Sequence, residues 1–195
     1  SMGVDVGDVD GDGLPDVVVT NFELEDNALY RNLGAGQFDH AITQFGLAGA
    51  GRAYVGFGTG LYDFNGDNWP DWYVLNGHVL YRTGQSPFLQ PSFVFQNESG
   101  RHFKNIGKEA GVYFRQRHAA RGSAVADLNG DGGMDIVVSG LNEQISLLRH
   151  RKPPTTWIAI SLNALGGNQS GLGAEVSLEA FQRRVPIPIG AGTSL

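Results

Sequence analysis

The chain has 195 residues, 14 Lys and Arg against 20 Asp and Glu, a net charge of −6, 29 glycines and no cysteine. That length suits one large domain, or one domain with part of another. The missing cysteines exclude disulfides and thiolate metal sites without identifying a compartment, and no run of about 18 apolar residues is present to insert into a membrane. Glycine at this level without a three-residue period points to many turns and an all-β chain. Ser1-Met2 resembles residues left by cloning, and no secretory signal is visible.

In chain order, a nine-residue stretch recurs three times: Asp8-Val-Asp10-Gly-Asp12-Gly-Leu14-Pro-Asp16, Asp63-Phe-Asn65-Gly-Asp67-Asn-Trp69-Pro-Asp71 and Asp127-Leu-Asn129-Gly-Asp131-Gly-Gly133-Met-Asp135. Each copy carries Asp or Asn at positions 1, 3, 5 and 9. Oxygen donors on alternate residues of a tight turn converge on one point, which suits a hard cation such as calcium. Position 6 is Gly13, Asn68 or Gly132, residues that tolerate a left-handed backbone. Position 7 (Leu14, Trp69, Gly133) is expected to add a backbone carbonyl. Position 12 is Val19, Val74 or Val138 rather than the bidentate Glu of an EF-hand, and it falls in a β-branched run, so a helical calcium sensor is disfavoured. Magnesium is the rival ion, but it keeps more water and fewer protein ligands. Loop 1 has four carboxylates and the other two have three each, which predicts the tightest binding at loop 1. The loops hold ten of the 20 acidic residues; without them the remainder carries +4, so the acidity belongs to the ion sites.

Each loop is preceded by a strand opening on glycine (Gly3, Gly58, Gly122) and followed by a second strand (Val17–Thr20, Trp72–Leu75, Ile136–Ser139). Two more short strands complete the unit. Leu29-Tyr30-Arg31-Asn32 with Gln37-Phe38 and Phe45-Gly46-Leu47 returns 65 residues later as Val94-Phe95-Gln96-Asn97 with His102-Phe103 and Ala110-Gly111-Val112, and Leu147-Leu-Arg-His150 begins a third copy. Four antiparallel strands repeated in tandem describe propeller blades, with the small glycine-led strand nearest the axis. About three four-stranded blades fall short of the roughly four to eight that close a ring. The chain is therefore expected to be part of a larger propeller, an open arc, or a ring closed by self-association. An insertion over 77–93, with Pro87 and Pro91, is expected to protrude.

Pro153-Pro154 marks a boundary, and the tail changes character. Trp157–Leu162, Ala174–Leu178 and Arg184–Ile189 read as strands, with a turn-rich loop over Gly166–Gly173. The expected division is residues 3–152 for the repeats and 155–195 for a small β module.

The three D-x-[DN]-x-[DN]-[GN]-x-x-D loops between short strands resemble the FG-GAP/VCBS repeats of calcium-binding β-propellers. The Leu29-Tyr-Arg-Asn32 arm with Gly36-Gln-Phe38 resembles the version in cartilage acidic protein and its bacterial relatives, and Trp157–Leu162, Asn168 and Gly173-Ala-Glu-Val176 resemble the opening of the ASPIC/UnbV module that follows the propeller in that group. The resemblance implies a secreted or cell-surface protein, extracellular or periplasmic, engaged in adhesion to a protein or glycan, with up to three structural Ca2+ ions and no catalysis.

Competing signals are weaker. Arg115, Arg117, His118 and Arg121 form a basic cluster that suits an anionic glycan or protein, or simply a solvated loop. Arg149-His-Arg-Lys152 lacks aromatic interleaving and precedes the Pro-Pro boundary, so no nucleic-acid partner is expected. Gly56-Phe-Gly58-Thr-Gly60 leads into an ion loop rather than a helix, so it is no dinucleotide fingerprint. Asn97-Glu-Ser99 and Asn168-Gln-Ser170 match the glycosylation pattern. A carbohydrate-active or other enzyme with its site on the propeller face, using Tyr81, Phe88 and Phe93 of the insertion, is the alternative function; paired carboxylates outside the loops are scarce. A fragment that assembles with another chain is the third reading.

Overall fold

The structure is a computed structural model. It describes residues 2–80, 86–151, 157, 158, 160, 162, 171–180 and 183–188. The strands are β1 (Val4–Gly7), β2 (Asp16–Val19), β3 (Ala28–Gly34), β4 (Gln37–His40), β5 (Gly56–Tyr62), β6 (Asp71–Asn76), β7 (Gln90–Pro91), β8 (Phe93–Asn97), β9 (Phe103–Asn105), β10 (Arg117–His118), β11 (Ala120–Ala126), β12 (Asp135–Gly140), β13 (Ser146–Leu148), β14 (Glu175–Ala180) and β15 (Arg183–Pro188). One short helix, α1 (Val112–Arg115), precedes β10.

The repeats become three antiparallel sheets, ordered β1-β2-β3-β4, β5-β6-β8-β9 and β11-β12-β13. They are two four-stranded blades and one of three strands among the described residues. Each ion loop joins the first strand of a blade to the second, as the flanking β-branched runs predicted.

Strand alternation builds the core. In β6, Trp72 and Val74 pack with Val18, Leu29 and Phe95 against the first blade. Tyr73 and Leu75, on the opposite face, pack with Ile136 and Val138 of the third. All six residues of β6 are buried, which explains why it reads as an unbroken apolar run rather than an alternating one.

The glycine-led strands lie side by side, β1 against β5 and β5 against β11. Their glycines set that spacing. A Cβ on Gly3 would stand 2.0 Å from the Phe57 carbonyl oxygen, and one on Gly58 would stand 2.7 Å from Ser123 Oγ and 3.1 Å from the Arg121 oxygen. Asp5 reaches across the first contact to accept from the Leu61 N–H at 2.7 Å, and the hydroxyls of Tyr73 and Ser123 meet at 2.9 Å across the second.

The two ends of the insertion are anchored: His78, Gln90 and Ser92 are buried, while Val79, Leu80 and Leu89 are exposed. Gln90 Oε1 accepts from the Val55 N–H at 2.8 Å, its Nε2 donates to Ser86 Oγ at 2.9 Å, and the β7 strand pairs with β10. Polar side chains at the ends of the insertion thus supply partners that local sequence does not reveal. Tyr81 lies outside the described residues.

In the tail, Glu175–Ala180 and Arg183–Pro188 form an antiparallel hairpin where two strands were expected. Ser1, Pro153-Pro154, Ala159 and Ser161 of the expected Trp157–Leu162 strand, and residues 166–170, with Asn168 among them, lie outside the described residues.

Candidate metal centre

The three loops fold to one plan, and the sequence pattern explains it. Position 4 (Gly11, Gly66, Gly130) and position 6 (Gly13, Asn68, Gly132) all have φ between 65° and 87°. Two left-handed residues in three turn successive N–H groups inward, toward the first carboxylate. Oδ1 of Asp8, Asp63 and Asp127 accepts from the position-4 N–H at 2.7, 2.8 and 2.8 Å. Oδ2 of the same residues accepts from the position-6 N–H at 3.0, 2.7 and 2.8 Å. The position-5 carboxylates of Asp12, Asp67 and Asp131 each accept from the N–H of Leu14, Trp69 or Gly133 at 2.9 Å. At position 7 this N–H contact fixes the turn, and it leaves the carbonyls of Leu14, Trp69 and Gly133 to serve as the expected backbone ligands.

The position-9 residues, Asp16, Asp71 and Asp135, are buried where the second strand begins. Oδ1 of each accepts from an N–H of the blade's third strand or two residues beyond it, Asn32, Asn97 and His150, at 2.8, 2.9 and 2.8 Å. Oδ2 of Asp16 and Asp71 accepts from Val9 and Phe64. Asp135 Oδ2 is buried without a hydrogen-bond partner. Burial pushes the Asp16 carboxyl up to about 6 and that of Asp71 to about 7, against the pull of these N–H donors. Asp8 is raised by the same cause, whereas Asp127 is lowered, chiefly by the Gly132 N–H.

The donor set fits a divalent hard cation. One carboxylate oxygen each from Asp8, Asp10 and Asp16 lie within 4.8 Å of one another. Ligands on a calcium ion, each about 2.3–2.6 Å from it, are separated by at most about 5 Å. The unpartnered buried oxygen of Asp135 is a second sign that the corner lacks a positive partner. Among the described residues no other triad of acidic or histidine side chains meets that spacing. Loops 2 and 3 carry Asn65 and Asn129 at position 3, and these amides donate to Asp67 and Asp131 at 2.9 and 2.7 Å.

Sequence reading missed the cation beside loop 1. Arg31 pairs through Nε with Asp10 Oδ2, and its Nη2 stands 3.5 Å from Asp12 Oδ2. Arg149 stands 3.6 Å from Asp131 in loop 3. The signal was available, because Arg31, Gln96 and Arg149 occupy the same position of the third strand or its end, one residue before the N–H that bonds the buried carboxylate.

The basic cluster divides between engaged and exposed side chains. Arg121 donates to the carbonyls of Gly77, Ala120 and His78 and lies 4.3 Å from the centre of the Phe57 ring. Arg115 donates to the Lys108 carbonyl. His118 stacks on Tyr113 at 3.8 Å and bonds Glu143 at 3.0 Å. Arg121 and His118 are thus engaged with neighbouring groups, whereas Arg115 and Arg117 are exposed. Asn97 is buried and donates to two carbonyls, which removes it as a glycosylation acceptor.

The model of the FG-GAP-like repeat matches residues 8–74 and, in a second overlapping copy, residues 63–138. No curated protein matches the chain.

Proposed function

The chain belongs to the FG-GAP-like repeat family, and on that premise we propose that it is a non-enzymatic, calcium-braced stretch of β-propeller that recognises an extracellular protein or glycan. The observation that carries the calcium reading is the set of oxygens from Asp8, Asp10 and Asp16 gathered within 4.8 Å at the corner between β1 and β2. The ligands proposed are Asp8, Asp10, Asp12 and Asp16, their counterparts Asp63, Asn65, Asp67 and Asp71, and Asp127, Asn129, Asp131 and Asp135, with a backbone carbonyl from Leu14, Trp69 and Gly133. Calcium would supply positive charge to carboxylates that otherwise repel one another. The chain's own backbone does the rest: the left-handed positions aim N–H groups at the first carboxylate, and the third strand fixes the buried one.

Repeats of this family are generally non-enzymatic and occur in extracellular or surface proteins, which supports recognition outside the cell. We assign residues 3–152 to the repeats and 155–195 to a partial ASPIC/UnbV-like module of the cartilage acidic protein group; the β14–β15 hairpin supports a separate β unit there. A partner of protein or glycan character fits the exposed apolar residues of the blades, and the basic run Arg149–Lys152 lacks the interleaved aromatics of a nucleic-acid site.

Calcium removal tests the brace. Melting followed by circular dichroism is expected to fall by many degrees in excess chelator and to recover on adding calcium. An unchanged curve would overturn the structural role. Glycan arrays and pull-down against matrix proteins test recognition, and uniformly blank results in calcium would remove it.

A further inference from the structure

Positions 3 and 5 of the loops are held together in two different ways. In loops 2 and 3 the amides of Asn65 and Asn129 donate to the carboxylates of Asp67 and Asp131 at 2.9 and 2.7 Å, so the pair closes from within the loop. Loop 1 has two carboxyl side chains there, Asp10 and Asp12, and neither carries an amide N–H to donate to the other. Arg31 closes this pair from outside, with Nε on Asp10 and Nη2 3.5 Å from Asp12. A planar guanidinium suits that bridging of two carboxylates in a way an ammonium does not.

The arrangement is particular to loop 1. The equivalent of Arg31 in the second blade is Gln96. In the third blade Arg149 stands 3.6 Å from Asp131 alone and is 63% exposed, against 32% for Arg31. Arg31 lines a cleft of about 510 Å³ with Asp10, Phe45, Trp69, Ser99 and Gly100, so the second blade's loop walls it in. Partial burial strengthens such a pair relative to a solvated one.

We propose that Arg31 is a built-in counter-cation for loop 1. It stabilises the loop without a divalent ion, and it weakens calcium binding there by engaging Asp10, a member of the acidic triad. The inference rests on the calcium reading given above and deepens it. Its consequence reverses the ranking by carboxylate count: loop 1 has four carboxylates but loses their advantage to its own arginine.

The test compares the full chain with Arg31→Gln, which copies the second blade, and Arg31→Lys, which keeps the charge without the fork. Calcium titration by calorimetry after chelator stripping is expected to show roughly tenfold tighter binding at one site in Arg31→Gln, with a smaller gain in Arg31→Lys. Melting in chelator is expected to move the opposite way, with Arg31→Gln below the parent and rescued further by calcium. Parent and Arg31→Gln titrations that superimpose, or weaker binding in the variant, would overturn the role of Arg31 while leaving calcium binding intact. Equal melting in chelator would also overturn it. Absence of calcium binding in both proteins would overturn this inference and the calcium reading together. Should Arg31→Gln fail to fold, Arg31→Lys carries the same comparison.

Discussion

Asn97 stands outside the proposed ion ligands, yet it ties two blades together. Its Nδ2 donates to the carbonyl of Val9 in loop 1 at 2.9 Å and to that of Pro70 in loop 2 at 3.2 Å, while its Oδ1 accepts from Gly100 at 2.8 Å. Truncation would leave these groups unpaired in a buried setting, a cost of about 1–3 kcal/mol. Asn32 is its counterpart in the first blade, but it bonds only within that blade, to Pro15 and Gly34, and is more exposed. Urea unfolding is therefore expected to place Asn97→Ala about 2 kcal/mol below the parent and Asn32→Ala within about 1 kcal/mol of it. Because neither residue is a proposed ligand, the gap between them should be the same with and without calcium. Equal losses would mean that the contact between loop 1 and the second blade contributes nothing of its own.

At the scale of strands, the inner glycines report how closely blades approach. The Gly58→Ala methyl group would meet Ser123 Oγ at 2.7 Å and the backbone oxygen of Arg121 at 3.1 Å, and a carbonyl cannot rotate away as a side chain can. Overpacking of that kind costs roughly 1–3 kcal/mol. At Gly122 the same methyl group meets only Ser139 Oγ, at 3.1 Å and within its own blade. Thermal melting should separate the two substitutions, Gly58→Ala lowering the midpoint by several degrees and Gly122→Ala by little; matching midpoints would mean the glycines do not set the blade spacing. These strands were legible in the sequence because Gly3, Gly58 and Gly122 recur at a fixed distance before each ion loop and short apolar runs follow it. The period of two in β6 was not, since both of its faces are buried and alternation vanishes when each side packs against another blade. The three Asp-rich loops were legible as repeated turns, and Asp8, Asp10 and Asp16 of the first come together as that pattern predicts. Arg31 was not recognised, because it lies 21 residues from Asp10 and reaches it only through the pairing of β2 with β3. The anchoring of the insertion was hidden for a related reason: Gln90 finds its partner at Val55, 35 residues away, where no local pattern points.

For the molecule as a whole, the two most perturbed carboxyls set a pH dependence that calcium should invert. Burial raises Asp16 to about 6 and Asp71 to about 7 from the ordinary 3.8. Between 3.8 and those values the folded, ion-free chain holds protons that the unfolded chain has released. Stability from these two groups is therefore fully present below 3.8 and is lost as pH rises through about 6 and 7. Asp127 shifts downward, so its influence lies below 3.8 and does not oppose this trend near neutrality. Calcium ligation needs the same carboxyls ionised, so binding and protonation compete. In chelator, the contribution of Asp16 and Asp71 is expected to lower the melting midpoint as pH rises from about 5 to about 8. In saturating calcium the midpoint should hold or rise, so that the two curves diverge with pH. Replacing Asp71 by Asn, which cannot ionise, should flatten the chelator curve and narrow the divergence. A calcium effect equal in size at both ends of that range would show that the buried carboxylates are not ligands, and that whatever calcium does to this chain it does elsewhere.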